Sequence, residues 1–271
     1  MSHIYNKYPI WLTMDVEQLQ DANFGVSLKA SPKIDYESII DRWIEQCEVL
    51  NIKSTCFVLG SFAKKFPKSI EKLVQNGHEV ASHGLTHDLI YKQTFEDFKN
   101  SIIESKKILE DTTQTEINGY RSASWSLPFE RRYYEVLAQN GYTYSSSYFP
   151  FKTYMYGNSI DKKEPFEIVT DSGVIKEIPL LKSFLPFSGG FYLRVLPLFI
   201  HKILMKSLIS KNHKPIIYTH PYEMSGKYLL TSMRKEINID TAYILAFAET
   251  SPSRKKLAKL LNYCNFALIS N

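Results

Sequence analysis

Cysteine is scarce. The 271 residues hold three, Cys47, Cys56 and Cys264, and an odd, widely spaced trio supports neither a disulfide framework nor a zinc ribbon. Reduced thiols in a cytosolic protein are the expectation. Long apolar runs are also missing: no stretch of about 18 apolar residues occurs, so no segment is expected to span a bilayer. The first ten residues, MSHIYNKYPI, lack the apolar h-region of a signal peptide, and a cytoplasmic location is expected. Nor does one sign of charge dominate. The 33 basic and 28 acidic residues leave a net charge of +5, and the Lys and Arg are scattered, which leaves no footprint for nucleic acid. Linkers, low-complexity tracts and internal repeats are absent, so one domain over residues 1–271 is expected.

What is present is a repeating alternation. Hydrophobic content of 44% against 23% charged supports a sizeable core and excludes disorder. Runs rich in β-branched and aromatic residues recur at Ile10–Val16, Ser54–Leu59, His78–Ser82, Ile117–Arg121, Thr143–Tyr148, Ile175–Leu180, Pro215–Thr219 and Phe266–Ile269. Helical patterns lie between many of them. Tyr36–Leu50 sets Ile39, Ile40, Trp43, Ile44, Cys47 and Leu50 on one stripe. Phe62–Gln75 and Phe129–Gln139 each end at Asn-Gly, Phe95–Leu109 repeats the helical spacing, and Ser251-Pro252 begins a last helix to about Leu261. Strand–helix alternation predicts an α/β fold with a mostly parallel sheet, and eight candidate strands favour a barrel over an open sheet.

Four places put unusual residues at strand ends. WLTMDVE closes an apolar run with Asp15 and Glu17, and side chains i and i+2 of a strand project to the same face. HEVASHGLTHD places His83 and His87 four apart, a spacing that suits two imidazoles on one metal if the chain makes a helical turn. His78 and Asp88 read as a hydrogen-bonded turn residue and a helix-start residue. INGYRSASWSL brings Arg121 to the end of another run, and PIIYTHPYE does the same for His220. Each alone has a bland explanation: a solvated strand end, an incidental pair, a packing residue, a satisfied core histidine. In a parallel barrel the C-terminal rim of the strands is where loops converge on one pocket. Four independent accidents would have to share that rim.

Taken together, the motifs resemble those of the polysaccharide deacetylase family, the NodB-homology or carbohydrate esterase 4 group. The order is the same: an acidic strand end, a His-x3-His segment, an Arg-bearing turn and a late His-Pro. The likeness runs from about Trp11 to His220 and is nearest to the branch whose first motif reads D-V-E or D-V-D. The resemblance implies a distorted (β/α)7-8 barrel that removes acetyl groups from sugars with one divalent metal. It implies Asp15 as general base, Glu17, His83 and His87 as metal ligands, Arg121 as the holder of the base, and His220 as general acid. A backbone N–H near Ser124 would face the oxyanion. Glu17 as base and Asp15 as ligand is the swapped assignment and stays open. Zinc suits these ligands best, while iron, cobalt or nickel would also accept them. Two departures stand out: Ala123 occupies a position where the family often has Pro, and Ser145 one where it often has an acid.

Trp125, Tyr148, Phe149 and Tyr222 lie near the motifs and could stack on a sugar ring. Ser188-Gly189-Gly190-Phe191 resembles the Gly-rich segment of the same branch. Residues 191–208 read as a barrel helix kinked by Pro197, with a second reading as an interfacial helix on the inner membrane face. The expected function is removal of an N-acetyl group from an amino sugar in a surface glycan or its nucleotide- or lipid-linked precursor. A deformylase on a formamido sugar and an inactive glycan-binding member are the alternatives.

Overall fold

The central strand explains the architecture. In Tyr8–Val16 (β1), Ile10, Leu12, Met14 and Val16 face one buried cluster, while Trp11 faces another. A strand buried on both faces belongs in the middle of a parallel sheet with helices outside. A computed structural model of the chain describes residues 8–21, 34–151, 157, 162–184, 187–189, 192–193, 196–224, 257, 259–260 and 264–270. The other strands are Thr55–Val58 (β2), Glu79–Ser82 (β3), Gly119–Tyr120 (β4), Tyr144–Ser145 (β5), Phe166–Val169 (β6), Val174–Glu177 (β7), Ile216–Thr219 (β8) and Cys264–Ala267 (β9). They form one sheet in the order β6-β7-β5-β4-β3-β2-β1-β8, and β9 also pairs with β1. Every pairing is parallel except β6–β7.

The sheet curls into a half-barrel, in keeping with the barrel favoured by the strand count and the distorted barrel implied by the resemblance. Its register sets Asp15 beside Phe57, Phe57 beside Ala81, and Trp11 beside Ile216, so these side chains share the inner face. Trp11, Phe57, Ala81, Tyr144, Ile178, Leu180 and Ile216 make the inner core. The larger core fills the space between the sheet and the helices Tyr36–Val49 (α1), Gly60–Lys65 (α2), Pro67–Gln75 (α3), Phe95–Thr113 (α4), Arg131–Gln139 (α5) and Leu198–Ile209 (α6). Among the described residues no ladder joins β7 to β8. Ser188 bridges part of that seam through its carbonyl, which accepts from the Tyr218 amide at 2.9 Å.

Several elements differ from the sequence expectation. Phe62–Gln75 is two helices, because Pro67 stands at the first position of the second and its missing N–H cannot continue the first. Strands expected at Ile117–Arg121 and Thr143–Tyr148 pair over two residues each. Serine side chains replace the ladder above them: the Ser122 amide donates to Ser147 Oγ and Arg121 Nη2 to Ser146 Oγ. Strand β6 was not anticipated. It is the antiparallel outer strand of a hairpin, half-buried on alternate residues and exposed on the others. The helix expected to kink at Pro197 instead starts after it, with Pro197 as its N-cap. Leu257, Lys259 and Leu260 are helical, while the expected helix start, Ser251-Pro252, lies outside the described residues. No described helix is long and apolar enough to cross a membrane.

The floor of the half-barrel is tightly fitted. Tyr144 lies across Gly119 and donates from its hydroxyl to Glu79 Oε1 at 2.8 Å, and Glu79 Oε2 accepts from Thr55 Oγ1. A Cβ on Gly119 would sit 2.0 Å from Tyr144 Cζ. Gly119→Ala is therefore expected to lower stability by about 1–3 kcal/mol through overpacking, read as a fall in the urea unfolding midpoint. Gly77→Ala, whose Cβ would meet only the flexible Lys53 side chain but whose φ of +75° disfavours a side chain, is expected to cost about 1 kcal/mol.

Candidate functional site

The inner-face residues of β1 step upward from Trp11 through Thr13 and Asp15 to Glu17, just past the strand end. Asp15 and Glu17 are almost fully buried, at 2% and 1% exposure. Asp15 is held by Arg121, which rises from the end of β4 and donates from Nη1 to Asp15 Oδ1 at 2.6 Å and to Thr13 Oγ1 at 2.9 Å. Its Nη2 donates to Ser146 Oγ at 3.0 Å and its Nε to the Ser146 carbonyl at 3.3 Å. The guanidinium lies 3.9 Å from the Phe57 ring centroid and 5.6 Å from that of Trp125. A fully buried arginine is expensive to desolvate; here its charge is paired, its donors are engaged and its face is stacked on aromatics.

Glu17 meets the histidines. Its Oε2 is 2.8 Å from His87 Nε2 and 3.8 Å from His83 Nε2, and its Oε1 is 3.9 Å from His220 Nε2. The Tyr222 hydroxyl donates to Oε1 at 3.3 Å, and the Tyr222 ring stacks on His220 at 4.9 Å. His83 follows β3, and its Nδ1 lies 2.8 Å from the Arg121 carbonyl, which can only accept. The proton is therefore on Nδ1, and Nε2 presents its lone pair toward Glu17. His83 and His87 are not on a helical turn as the spacing suggested. The chain bends between them, with Gly84 at φ +89°, and the rings come within 5.3 Å. His78 is a structural residue as expected, with Nδ1 accepting from the Ser54 amide. Asp88 accepts from Thr86 Oγ1 and does not cap a helix.

Electrostatics favour a cation in this cluster. Burial pushes Glu17 upward, but the charge and hydrogen bond of His87, with His220 and His83 behind it, outweigh burial and bring it down to about 2. Burial drives His83 down to about 4, so its imidazole is neutral near neutral pH. Burial also opposes protonation of His87, yet Glu17 overcomes it and raises His87. One ligand atom each from Glu17, His83 and His87 lie within 4.8 Å of one another, a grouping that can hold a metal ion. His83 Nε2 fits that role: it is buried and has no hydrogen-bond partner among the described residues. Two imidazoles and a carboxylate are a ligand set for a catalytic metal with open positions.

Trp125 and Tyr218 form the wall beside the cluster, their rings 4.8 Å apart. Beyond them is a small groove lined by Trp125, Phe149, Leu180, Phe187, Gly189 and Tyr218. Gly189 is required there, because a Cβ would fall 1.7 Å from Tyr218 Cζ. Phe149 thus reaches the groove, whereas Tyr148 packs on Phe129 and Phe166 away from it. Ser124 and Trp125 both adopt left-handed backbone, with φ of 49° and 50°. The turn that carries them, with Ala123 in place of a proline, is tied by two hydrogen bonds: Leu127 N donates to Ser122 Oγ and the Ser126 amide to the Ala123 carbonyl.

Two contributors escaped the sequence reading. Tyr218 shares a face with His220 by i,i+2 spacing, a signal that was present in IIYTH. Glu177, fully buried at the end of β7, accepts from the Ser147 and Tyr148 amides at 2.8 and 2.9 Å. It fixes the segment whose Ser146 holds Arg121, and it stands beside Ser145 in the β5–β7 ladder. No spacing in the chain marks that pairing.

Comparison with known proteins places this geometry. Residues 36–145 match the polysaccharide deacetylase family model. A domain of unknown function (DUF3473) matches residues 146–271, and the one sheet runs through both segments. Asp15 and Glu17 precede the deacetylase match, while His83, His87 and Arg121 fall inside it. The peptidoglycan-N-acetylglucosamine deacetylase of Bacillus cereus is 30% identical over 105 residues, 39% of this chain and 32% of that protein. The peptidoglycan deacetylase of Helicobacter pylori is 25% identical over 108 residues, 40% of this chain and 36% of that protein. The chain thus spans about a third of the length of these relatives. A Mycobacterium smegmatis structure described as a polysaccharide deacetylase superposes with a TM-score of 0.57 at 17% identity, over 97% of this chain and 93% of that one. A peptidoglycan N-acetylglucosamine deacetylase structure gives 0.51 at 16% identity over 98% and 87%. These structural likenesses show the fold.

Two outcomes are expected of this site and the segment beside it. Glu177→Leu leaves the Ser147 and Tyr148 amides without an acceptor and should cost about 2–4 kcal/mol by urea unfolding, with Glu177→Gln costing less. Uptake of a divalent ion should release protons near neutral pH, because His87 must give up the proton that Glu17 favours. Titration in weakly buffered solution measures it, and binding should weaken as pH falls.

Proposed function

We propose that the protein is a metal-dependent N-deacetylase of amino sugars, acting on a surface glycan or on its nucleotide- or lipid-linked precursor in the cytoplasm. The observation that carries this reading is the split between the two acids of β1. Asp15 is locked on Arg121 and Glu17 is grouped with His83 and His87, which separates a base from a ligand set within one pocket. The deacetylase relatives, named for peptidoglycan in two cases and for chitooligosaccharide in Sinorhizobium fredii, support N-acetyl as the leaving acyl group.

Glu17, His83 and His87 would hold the ion, with zinc as the proposed metal on ligand type. Bound there, a divalent ion would polarise the amide carbonyl and lower the pKa of water toward about 7. Asp15 takes the proton of the attacking water, and Arg121 orients its carboxylate. His220, held by its stack on Tyr222, delivers a proton to the amine, which cannot leave as an anion. One backbone N–H near Ser124 is the proposed donor to the oxyanion. Trp125 and Tyr222 confine the sugar beside the cluster.

His83→Ala is expected to lose bound metal, measured as metal content of the purified protein. Asp15→Asn should retain metal and lose roughly 10²–10⁴-fold in turnover, measured as acetate released from N-acetylated sugars. Loss of metal in Asp15→Asn with retention in Glu17→Gln would reverse the two acidic roles. Release of formate from N-formyl sugars in place of acetate would make the protein a deformylase. A metal-free chain that binds glycan and releases neither acid would overturn the enzymatic reading.

A further inference from the structure

Helix α6 buries one side and leaves the other bare of any cover that its chemistry would predict in water. His201, Leu204, Met205 and Leu208 pack into the protein. On the opposite side, one turn apart, Phe199 is 61% exposed and Ile203 52% exposed, and Lys206, one further turn along, is exposed beside them. The barrel-helix and interfacial-helix readings of this segment therefore belong to opposite faces of the same helix.

The surrounding charge is one-sided. No Asp or Glu occurs between Glu177 and Glu223, although the chain has 28 acidic residues, and the interval contains Lys182, Arg194, Lys202, Lys206, Lys211 and Lys214. Lys211 follows the helix end and is exposed. Glu164, from outside the interval, is engaged by His213. A helix with large apolar residues outward and basic residues around them, in a stretch of sequence without an acid, has the chemistry of one that lies in a lipid interface.

We propose that the outward face of α6 docks on an anionic lipid surface, with Phe199 and Ile203 entering the acyl boundary and Lys202, Lys206 and Lys211 facing the headgroups. The proposal is independent of the hydrolase reading, since it uses none of the site residues.

Flotation of the purified full chain with vesicles tests it, comparing phosphatidylcholine alone with phosphatidylcholine containing phosphatidylglycerol. The expected result is binding to the anionic vesicles, weakened by salt and reduced about tenfold in Phe199→Ser/Ile203→Ser and in Lys202→Gln/Lys206→Gln/Lys211→Gln. Unfolding midpoints of both variants are compared with the parent, and Phe199→Trp provides a readout in an intact helix: its emission should shift to the blue when anionic vesicles are added. No binding to anionic vesicles, or an unshifted Phe199→Trp, overturns the proposal. So does equal binding by the Phe199→Ser/Ile203→Ser variant, or a concentration-dependent dimer that this variant abolishes, which would assign the face to a second copy of the chain.

Discussion

Arg121 is the residue on which the candidate site depends. Its side chain fixes Asp15 on β1 and draws on Ser146 beyond β5, while its carbonyl fixes the His83 ring beyond β3. One residue therefore sets the carboxylate on one side of the pocket and the imidazole orientation on the other. A guanidinium can do this because its planar fork offers several donors in fixed directions and its face stacks on Phe57 and Trp125. An ammonium on a flexible stem would satisfy the charge and lose the geometry. The cost of burying the cation is met by groups from three separate strands, so the arrangement exists only in the assembled sheet.

The fold serves this residue through period-two alternation. Ile10, Leu12, Met14 and Val16 anchor β1 to the helices, which leaves Trp11, Thr13 and Asp15 to line the interior. The interior changes character with height. Its floor is aromatic and tied by the Tyr144–Glu79–Thr55 hydrogen bonds, its middle holds Arg121 with Asp15, and its mouth holds Glu17 with the histidines. Low dielectric beneath the mouth strengthens every charge interaction above it. The seam between β7 and β8 provides the lateral groove, where Gly189 lets the Tyr218 ring lie close to the backbone.

Sequence patterns exposed some of this and hid the rest for identifiable reasons. Helices Tyr36–Val49 and Phe95–Thr113 were legible because their apolar stripes are local. Strand β6 was not, since its alternating exposure in FEIV gives a weak apolar run and its partner lies across a turn. The bend at Gly84 replaced the helical turn expected between His83 and His87: four-residue spacing is shared by a helix and by a loop that doubles back. Glu177 was invisible because its partners are backbone amides about thirty positions away, and backbone groups have no letter in a sequence.

By itself the sequence determined the alternation of strands and helices, the four strand ends that carry Asp15, Glu17, His83, His87, Arg121 and His220, and the same-face relation of the two acids, because each follows from short-range periodicity. Only the tertiary structure decided which acid meets the histidines and which meets the arginine. Those two side chains point the same way from one strand, and their difference in height becomes a difference in partner only when the neighbouring strands fix what stands at each level.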